Sequence, residues 1–152
     1  MRDQSSETDL KAACKRIARE CIAVRVRLIN RVITSIYDDA LRPFGVTINQ
    51  LNLLVALSRM DTATATQLKR VLQMESSTLS RNLERMRKEG WLRSLLGEDA
   101  RSRKLRITEK GARLIQKTFP AWEQAQRKAQ EVLRSNPEAI GSIASGIWSG
   151  SQ

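Results

Sequence analysis

The sequence of 152 residues contains no histidine. Histidine is the usual general base near neutral pH, a member of the Ser/His/Asp and Cys/His nucleophile systems and the commonest metal ligand. Its absence excludes those catalytic systems and zinc sites built on imidazole. The chain also lacks a glycine-rich phosphate loop and a cluster of acidic metal ligands. We therefore expect a protein that is not an enzyme and that has no metal or cofactor.

Long apolar runs are absent as well. The densest stretch, Leu51–Leu57, is short and is interrupted by Asn52, whereas a transmembrane helix needs about 20 apolar residues. The first residues are polar and charged, unlike those of a signal peptide. We expect a cytoplasmic protein with no membrane partner.

Cysteine is scarce, and the two thiols, Cys14 and Cys21, lie seven residues apart. On a helix that spacing puts them about 10 Å apart, which is too far for a disulfide bond. Both fall on an apolar stripe, where a cysteine is usually a small packed hydrophobe. Arg19 and Arg25 flank Cys21 and would stabilise a thiolate, so a redox role for Cys21 stays an alternative.

Positive charge is what the chain has in excess. Its 27 Lys and Arg residues outnumber 16 Asp and Glu residues, which gives a net charge of +11. Residues 61–110 carry 12 of the basic and 7 of the acidic side chains, and nine basic residues lie between Arg81 and Arg106. Such a concentration indicates a polyanionic partner. The six aromatic residues are scattered through helical patterns, which does not suit the stacking sheets of RNA-binding modules.

The N-terminal third has the apolar spacing of one long helix, predicted over Leu10–Leu41 and stopped by Pro43 and Gly45. About 32 helical residues span ~48 Å, more than the ~40 Å diameter of a compact domain of this length. The apolar stripe of such a helix needs a partner, and a second copy of the chain is the simplest one.

The middle of the chain predicts three further helices. Thr47–Gln50 and Thr64–Gln67 have the form of capping boxes that begin the first two. Ser76 is the predicted N-cap of the third, and Gly90 ends it. The apolar positions of this third helix recur at helical spacing and comprise Leu79, Leu83 and Met86.

The periodicity then changes to that of two short strands, 91–96 and 104–107, around a charged hairpin tip. Thr108 is the predicted cap of the helix that follows, and a last helix is predicted from Asn136. The resulting fold class is mainly α with a small two- or three-stranded β wing, that is, a winged helix-turn-helix flanked by N- and C-terminal dimerisation helices.

This order of elements predicts binding to double-stranded DNA. The outward face of the third helix suits the major groove, where Arg81 or Arg85 would bind guanine and Asn82 would bind adenine. The start of that helix suits a phosphate. A slim loop with Arg101 and Arg103 suits the minor groove. A solvated helix and a solvated hairpin tip are the alternatives. The predicted DNA-binding residues of the helix are Ser76, Ser77, Thr78, Ser80, Arg81, Asn82 and Arg85.

The same residues resemble the MarR (multiple antibiotic resistance regulator) family. Residues 67–92 resemble that family's helix-turn-helix, and 99–104 resemble its D-x-R wing signature. Residues 105–111 are similar to the strand-to-helix passage, and 37–47 to the end of the first helix. The similarity covers roughly residues 10–148, and the wing with the recognition helix is its specific part.

The resemblance implies a single domain over 1–152 that forms a homodimer. Residues 10–42 and 111–149 would be the dimerisation helices, and 47–110 the winged helix-turn-helix lobe. It also implies a repressor of a pseudo-palindromic operator, with Arg101 in the minor groove and Asp99 orienting it. Arg103 belongs to the same predicted wing contact.

Two further family properties concern ligands and oxidation. Many members release DNA when a small aromatic or phenolic ligand binds between the dimer layer and the DNA-binding lobe. A minority sense peroxide through a cysteine in the first helix, but Cys21 is about two residues away from that position. We interpret the larger aromatic residues as core or interface residues and assign no ligand pocket; they are Tyr37, Trp91, Trp122 and Trp148. A non-specific nucleic-acid-binding or architectural protein is the remaining alternative.

Overall fold

A computed structural model describes residues 4–95 and 103–133. These residues form a mainly helical protein with one small antiparallel sheet, which confirms the predicted fold class. A short 3-10 turn, Arg42–Phe44, follows the second helix. The helices are α1 Gln4–Glu20, α2 Ile22–Leu41, α3 Ile48–Met60, α4 Ala65–Leu72, α5 Ser76–Lys88 and α6 Glu109–Leu133; the strands are β1 Ala63–Thr64, β2 Leu92–Leu95 and β3 Lys104–Ile107.

The chain divides into two compact units, and the first comprises residues 1–35. The prediction of one uninterrupted helix from Leu10 is wrong, because α1 begins at Gln4 and the helix is interrupted at Cys21. Cys21 still makes two helix-type backbone bonds, from its N–H to the Ile17 carbonyl (2.9 Å) and from Arg25 N–H to its carbonyl (3.3 Å). The Arg25 guanidinium also donates to the Arg19 carbonyl, which competes with the backbone bonds there.

The second unit comprises residues 36–152, and its core is built on α3. Leu53, Leu54 and Leu57 are completely buried there. Both predicted capping boxes are confirmed. In the first, Gln50 N–H donates to the Thr47 hydroxyl (3.3 Å) and Thr47 N–H donates to the Gln50 side-chain oxygen (3.1 Å). Thr64 and Gln67 make the same two bonds at the start of α4. Asp38, near the end of α2, accepts a bond from Ile48 N–H (2.8 Å) and so fixes the start of α3.

The sheet has the strand order β1-β3-β2, and every pairing is antiparallel. Strand β1 is only two residues long, and its Ala63 pairs with Leu105 of β3. The base of the β2–β3 hairpin joins α6, where Thr108 N–H donates to the Trp91 carbonyl (3.0 Å). The Thr108 hydroxyl accepts from Gly111 N–H (3.2 Å), so Thr108 caps α6 as predicted. The sheet therefore connects the helix-turn-helix to the long helix α6.

Three of the four larger aromatic residues lie in or against this core. Trp91 is buried, and Tyr37 and Trp122 pack against the buried cluster. Trp148 and the helix predicted from Asn136 lie outside the described residues. Within the described ranges, no helix is both long enough and apolar enough to cross a membrane.

Candidate nucleic-acid interface

The candidate interface is the helix-turn-helix formed by α4, the turn 73–75 and α5. Gln73 takes a left-handed conformation (φ 50°) at the end of α4, and its N–H donates to the Lys69 carbonyl. Leu68 on α4, with Leu79 and Met86 on α5, is buried in the core. These apolar anchors fix which side of α5 faces outward.

The start of α5 differs by one residue from the prediction. The N-cap is Glu75 and not Ser76, because Glu75 is still extended (φ −64°, ψ 140°) while its carbonyl already accepts from Leu79 N–H (2.9 Å). Among the described residues, the Glu75 side chain makes no capping hydrogen bond to this helix. Ser76 and Ser77 are exposed, so the first turn presents hydroxyls and backbone N–H groups to solvent.

Five of the seven predicted α5 residues are exposed, namely Ser76, Ser77, Ser80, Arg81 and Arg85. Thr78 and Asn82 are half-buried on the flank of the helix. The Asn82 amide donates to the Thr78 carbonyl (3.0 Å), and Arg81 Nε donates to the Ser77 carbonyl (3.3 Å). The structure therefore brings the predicted face together, but it ties Asn82 to its own helix backbone.

Glu84 is a residue of this face that the sequence interpretation missed. Because successive helix residues are about 100° apart, positions 77, 81, 84 and 88 form one line opposite the buried anchors. The Lys88 ammonium lies 3.0 Å from a Glu84 carboxylate oxygen, and both side chains are exposed. The hydrogen bond and positive charge of Lys88 lower the pKa of Glu84 from its ordinary value. The helical spacing from Ser77 and Arg81 is the signal that could have identified it.

The wing is described only in part. Asp99 and Arg101 lie outside the described residues, whereas Arg103 is exposed immediately before β3. On the strands themselves, Arg93 of β2 lies directly opposite Arg106 of β3. Such like-charged cross-strand pairs are unfavourable. Residue alternation along the two strands could have identified this arginine pair.

Arg106 is balanced by an acidic residue 45 positions earlier in the chain. Its Nη2 lies 2.5 Å from the Asp61 carboxylate, while its Nε is buried without a hydrogen-bond partner. Asp61 itself has a positive φ of 58°, at the turn between α3 and β1. The ion pair thus joins that turn to the wing, and Arg93 is the exposed member of the arginine pair.

The cysteines are both free thiols. Cys14 is exposed and Cys21 is half-buried. Neither is therefore a fully packed core residue within a single chain. No group of three or more potential Cys, Asp or Glu metal ligands occurs in the described part of the chain.

A cavity of about 340 Å³ lies between α3 and α6. Its walls are largely apolar and include Leu51 and Val55 of α3 and Phe119 and Trp122 of α6. The Phe119 and Trp122 rings stack at a centroid distance of 5.9 Å. The sequence interpretation assigned no pocket, and the spacing of single aromatic residues along α6 gives no direct signal of one.

Comparisons with known proteins agree with this geometry. The sequence profile of the MarR family matches residues 44–102. The transcriptional regulator MosR of M. tuberculosis, solved in complex with DNA, is 34% identical, with 83% of this chain and 92% of that chain covered and a TM-score of 0.73. A second structure of MosR is 30% identical, with 86% and 96% covered and a TM-score of 0.72.

Two further comparisons show a similar fold in one case and a similar sequence over part of the chain in the other. A mutant of E. coli MarR in complex with operator DNA has a TM-score of 0.73 over 88% of this chain and 96% of that chain, at 17% identity. The uncharacterized HTH-type transcriptional regulator YwoH of Bacillus subtilis is 28% identical over 79 residues. That match covers 52% of this chain and only 58% of the YwoH chain.

Proposed function

The chain belongs to the MarR family of transcriptional regulators, and on this premise we propose that it is a homodimeric, sequence-specific DNA-binding repressor. Members of this family are regulators and not enzymes. One observation carries the proposal: α5 buries Leu79 and Met86 and turns an exposed hydroxyl- and guanidinium-bearing face outward. A helix with that division of faces fits the major groove.

The roles within the interface follow from the chemistry of each exposed group. Arg81 and Arg85 bind the O6 and N7 acceptors of guanine. Asn82 reads adenine only after its amide leaves the Thr78 carbonyl, so it contributes less than the two arginines. The hydroxyls of the first turns and the N-terminus of α5 hold phosphates; these residues are Ser76, Ser77, Thr78 and Ser80.

The wing supplies the second contact of the proposal. Arg101 enters the minor groove, Asp99 orients it, and Arg103 lies beside it at the foot of β3. Arg93 on the same hairpin binds a backbone phosphate, because its side chain is exposed while Asp61 pairs with the neighbouring Arg106. These contacts would be lost together when salt competes for the phosphates.

A homodimer is supported by the apolar side chains of the first unit. Ile17, Val24 and Leu28 are 65%, 49% and 56% exposed in a single chain. Apolar surface of this extent along α1 and α2 is typical of an interaction site. In the proposed dimer, residues 10–42 and 111–149 form the dimerisation helices, and 47–110 form the DNA-binding lobe of one domain over 1–152. The repressor would act in the cytoplasm.

Release from the operator is proposed to follow binding of a small aromatic or phenolic ligand in the cavity between α3 and α6. Its volume lies within the ~300–1,000 Å³ range of small-molecule sites, and its stacked Phe119 and Trp122 suit a planar ring. Because α4 and α5 pack on the core that is built on α3, a ligand that displaces α3 would also displace α5. Redox release through Cys21 is the alternative, and operator binding that weakens with stoichiometric peroxide would favour it.

The experiment that tests the proposal is selection of bound duplexes from random DNA, followed by footprinting of the selected site. We expect a pseudo-palindrome with half-sites about one helical turn apart and one dimer bound per site. Arg81→Ala should abolish selection of one base pair in each half-site. Arg113→Ala, which removes an exposed positive charge from α6, is the matched control and should leave the selected sequence unchanged. A protein that protects no discrete site would be a non-specific binder instead.

A further inference from the structure

The feature that the proposed function does not use is the single acidic residue on the outward line of the recognition helix. Between Ser76 and Lys88 the sequence contains one carboxylate, Glu84. It follows Ser77 and Arg81 at helical spacing, so all three face the same way. A carboxylate on a DNA-facing line repels phosphates, and it therefore needs a partner that compensates for the repulsion.

In the free protein that partner is Lys88. The 3.0 Å contact is an ion pair between exposed side chains, 75% exposed for Lys88 and 56% for Glu84. Exposed pairs of this i, i+4 kind are weak, so the pair opens readily when either group is offered a better partner. DNA offers one to each: phosphates for the ammonium, and amino groups on base edges for the carboxylate.

The major groove narrows the choice of base. Guanine presents only acceptors there, O6 and N7, which repel a carboxylate. Adenine places its N7 acceptor beside its amino group, whereas cytosine presents the N4 amino donor without an adjacent acceptor. Cytosine is therefore the base whose edge a carboxylate matches.

The position of Arg81 adds a second constraint. Arg81 precedes Glu84 by three residues, which is about 4.5 Å along the helix axis and close to one base-pair step of 3.4 Å. The two side chains thus face neighbouring base pairs, one selecting for acceptors and the other selecting against them.

We propose that Glu84 determines operator sequence by accepting a hydrogen bond from cytosine N4, next to the base pair read by Arg81, while Lys88 moves to a phosphate. This inference rests on the proposed function, because it requires α5 to lie in the major groove. It makes Glu84 a specificity residue that lowers affinity for wrong sequences rather than one that raises affinity for all DNA.

The test is selection from random duplexes with the wild type, Glu84→Gln and Glu84→Ala. At one position of each half-site the wild type should prefer cytosine by about 5- to 30-fold. Glu84→Gln should change that preference to adenine, because a Gln amide pairs with adenine N6 and N7. Glu84→Ala should abolish the preference at that position alone, and both variants should bind random-sequence DNA more tightly than the wild type does.

Two variants separate base reading from a simple change of charge. Glu89→Gln removes the same charge just after α5 and off the outward line, and it should leave every base preference unchanged. Lys88→Ala should weaken binding to all sequences equally and reduce the salt slope by about one phosphate. Circular dichroism should show the same helix content for all variants, because each of these residues is exposed.

The outcomes also distinguish this inference from the proposed function. If the wild type selects a discrete operator and both Glu84 variants select the identical sequence, the assignment of Glu84 is overturned while DNA-specific repression stands. If the wild type selects no sequence, the proposed function itself is wrong and the inference is overturned with it.

Discussion

The contact between Gly111 and the backbone of Trp91 gives the most direct prediction about the structure. A Cβ added at Gly111 would lie 2.3 Å from the Trp91 carbonyl oxygen and 2.8 Å from Ile107 Cγ1. Non-bonded carbon atoms pack best at about 3.5–4.0 Å. Moving the Trp91 carbonyl away would disturb the bond that it accepts from Thr108 N–H at the start of α6. The first turn of α6 and the wing therefore need glycine at this position.

The magnitude for Gly111→Ala combines two opposing effects. Overpacking costs about 1–3 kcal/mol of unfolding free energy, and a clash with backbone falls at the upper end of that range. Alanine regains about 0.5–1 kcal/mol of helix propensity over glycine. The net loss is about 2 kcal/mol, which for a chain of this size lowers the melting temperature by about 4–8 °C.

The assay is thermal unfolding followed by circular dichroism at fixed protein concentration. Ala112→Gly is the control, because it exchanges the same two residue types one position along the same helix. It should cost only the helix propensity of about 0.5–1 kcal/mol. If Gly111→Ala melts at or above the wild-type temperature, the close approach of α6 to Trp91 is not present in solution.

Three other residues give predictions of their own. Tyr37 is the only tyrosine, and burial raises its pKa above the ordinary value of 10.0. The absorbance of its phenolate should therefore titrate above pH 10 in the folded protein and at about pH 10 in denaturant. Because the folded state favours the neutral phenol, this contribution to stability is complete below pH 10 and is lost as pH rises through the raised pKa. Thr64→Ala should lower the unfolding free energy by about 1 kcal/mol, measured by urea denaturation, whereas the exposed Thr66→Ala should cost clearly less. Asp61→Asn should lower the unfolding free energy by less than about 1 kcal/mol. A double-mutant cycle with Arg106→Ala should give a coupling energy of no more than about 1 kcal/mol.

The helix boundaries in the second unit could be predicted because their signals are local. Each capping box pairs a side chain with a backbone N–H three residues away, so Thr47 and Thr64 reveal their helix starts in the sequence. Gly90 similarly adopts the positive φ (72°) that ends α5. The predicted cap of α5, Ser76, lies one residue after the observed cap, Glu75. Residue preference favours serine as a cap, but the backbone is still extended at Glu75.

Features that depend on contacts between distant residues gave no such signal. The strand Ala63–Thr64 exists because it pairs with Leu105 and Lys104, some 40 positions away, and two residues are too few to show a period. The interruption at Cys21 coincides with a bond from the Arg25 side chain to the Arg19 carbonyl, which the apolar pattern does not register.

The candidate interface was predicted in outline and incompletely in chemistry. Helical spacing from the buried Leu79 and Met86 was enough to place Arg81 and Arg85 on the exposed face. The sequence interpretation considered residues that donate hydrogen bonds to DNA, and it therefore missed Glu84. It also treated the Asn82 amide as available to a base, whereas that amide donates to the Thr78 carbonyl. Local side-chain to backbone bonds of this kind compete with intermolecular ones.

The measurement that tests the central claim most directly is the ratio of two dissociation constants, for the selected operator and for a scrambled duplex of equal length and composition, at one physiological salt concentration. A sequence-specific regulator should bind the operator at least about 10³-fold more tightly. Arg81→Ala should reduce that ratio, while Arg113→Ala should leave it unchanged. A wild-type ratio near one would contradict the account and show that the positive charge of the chain binds DNA without reading it.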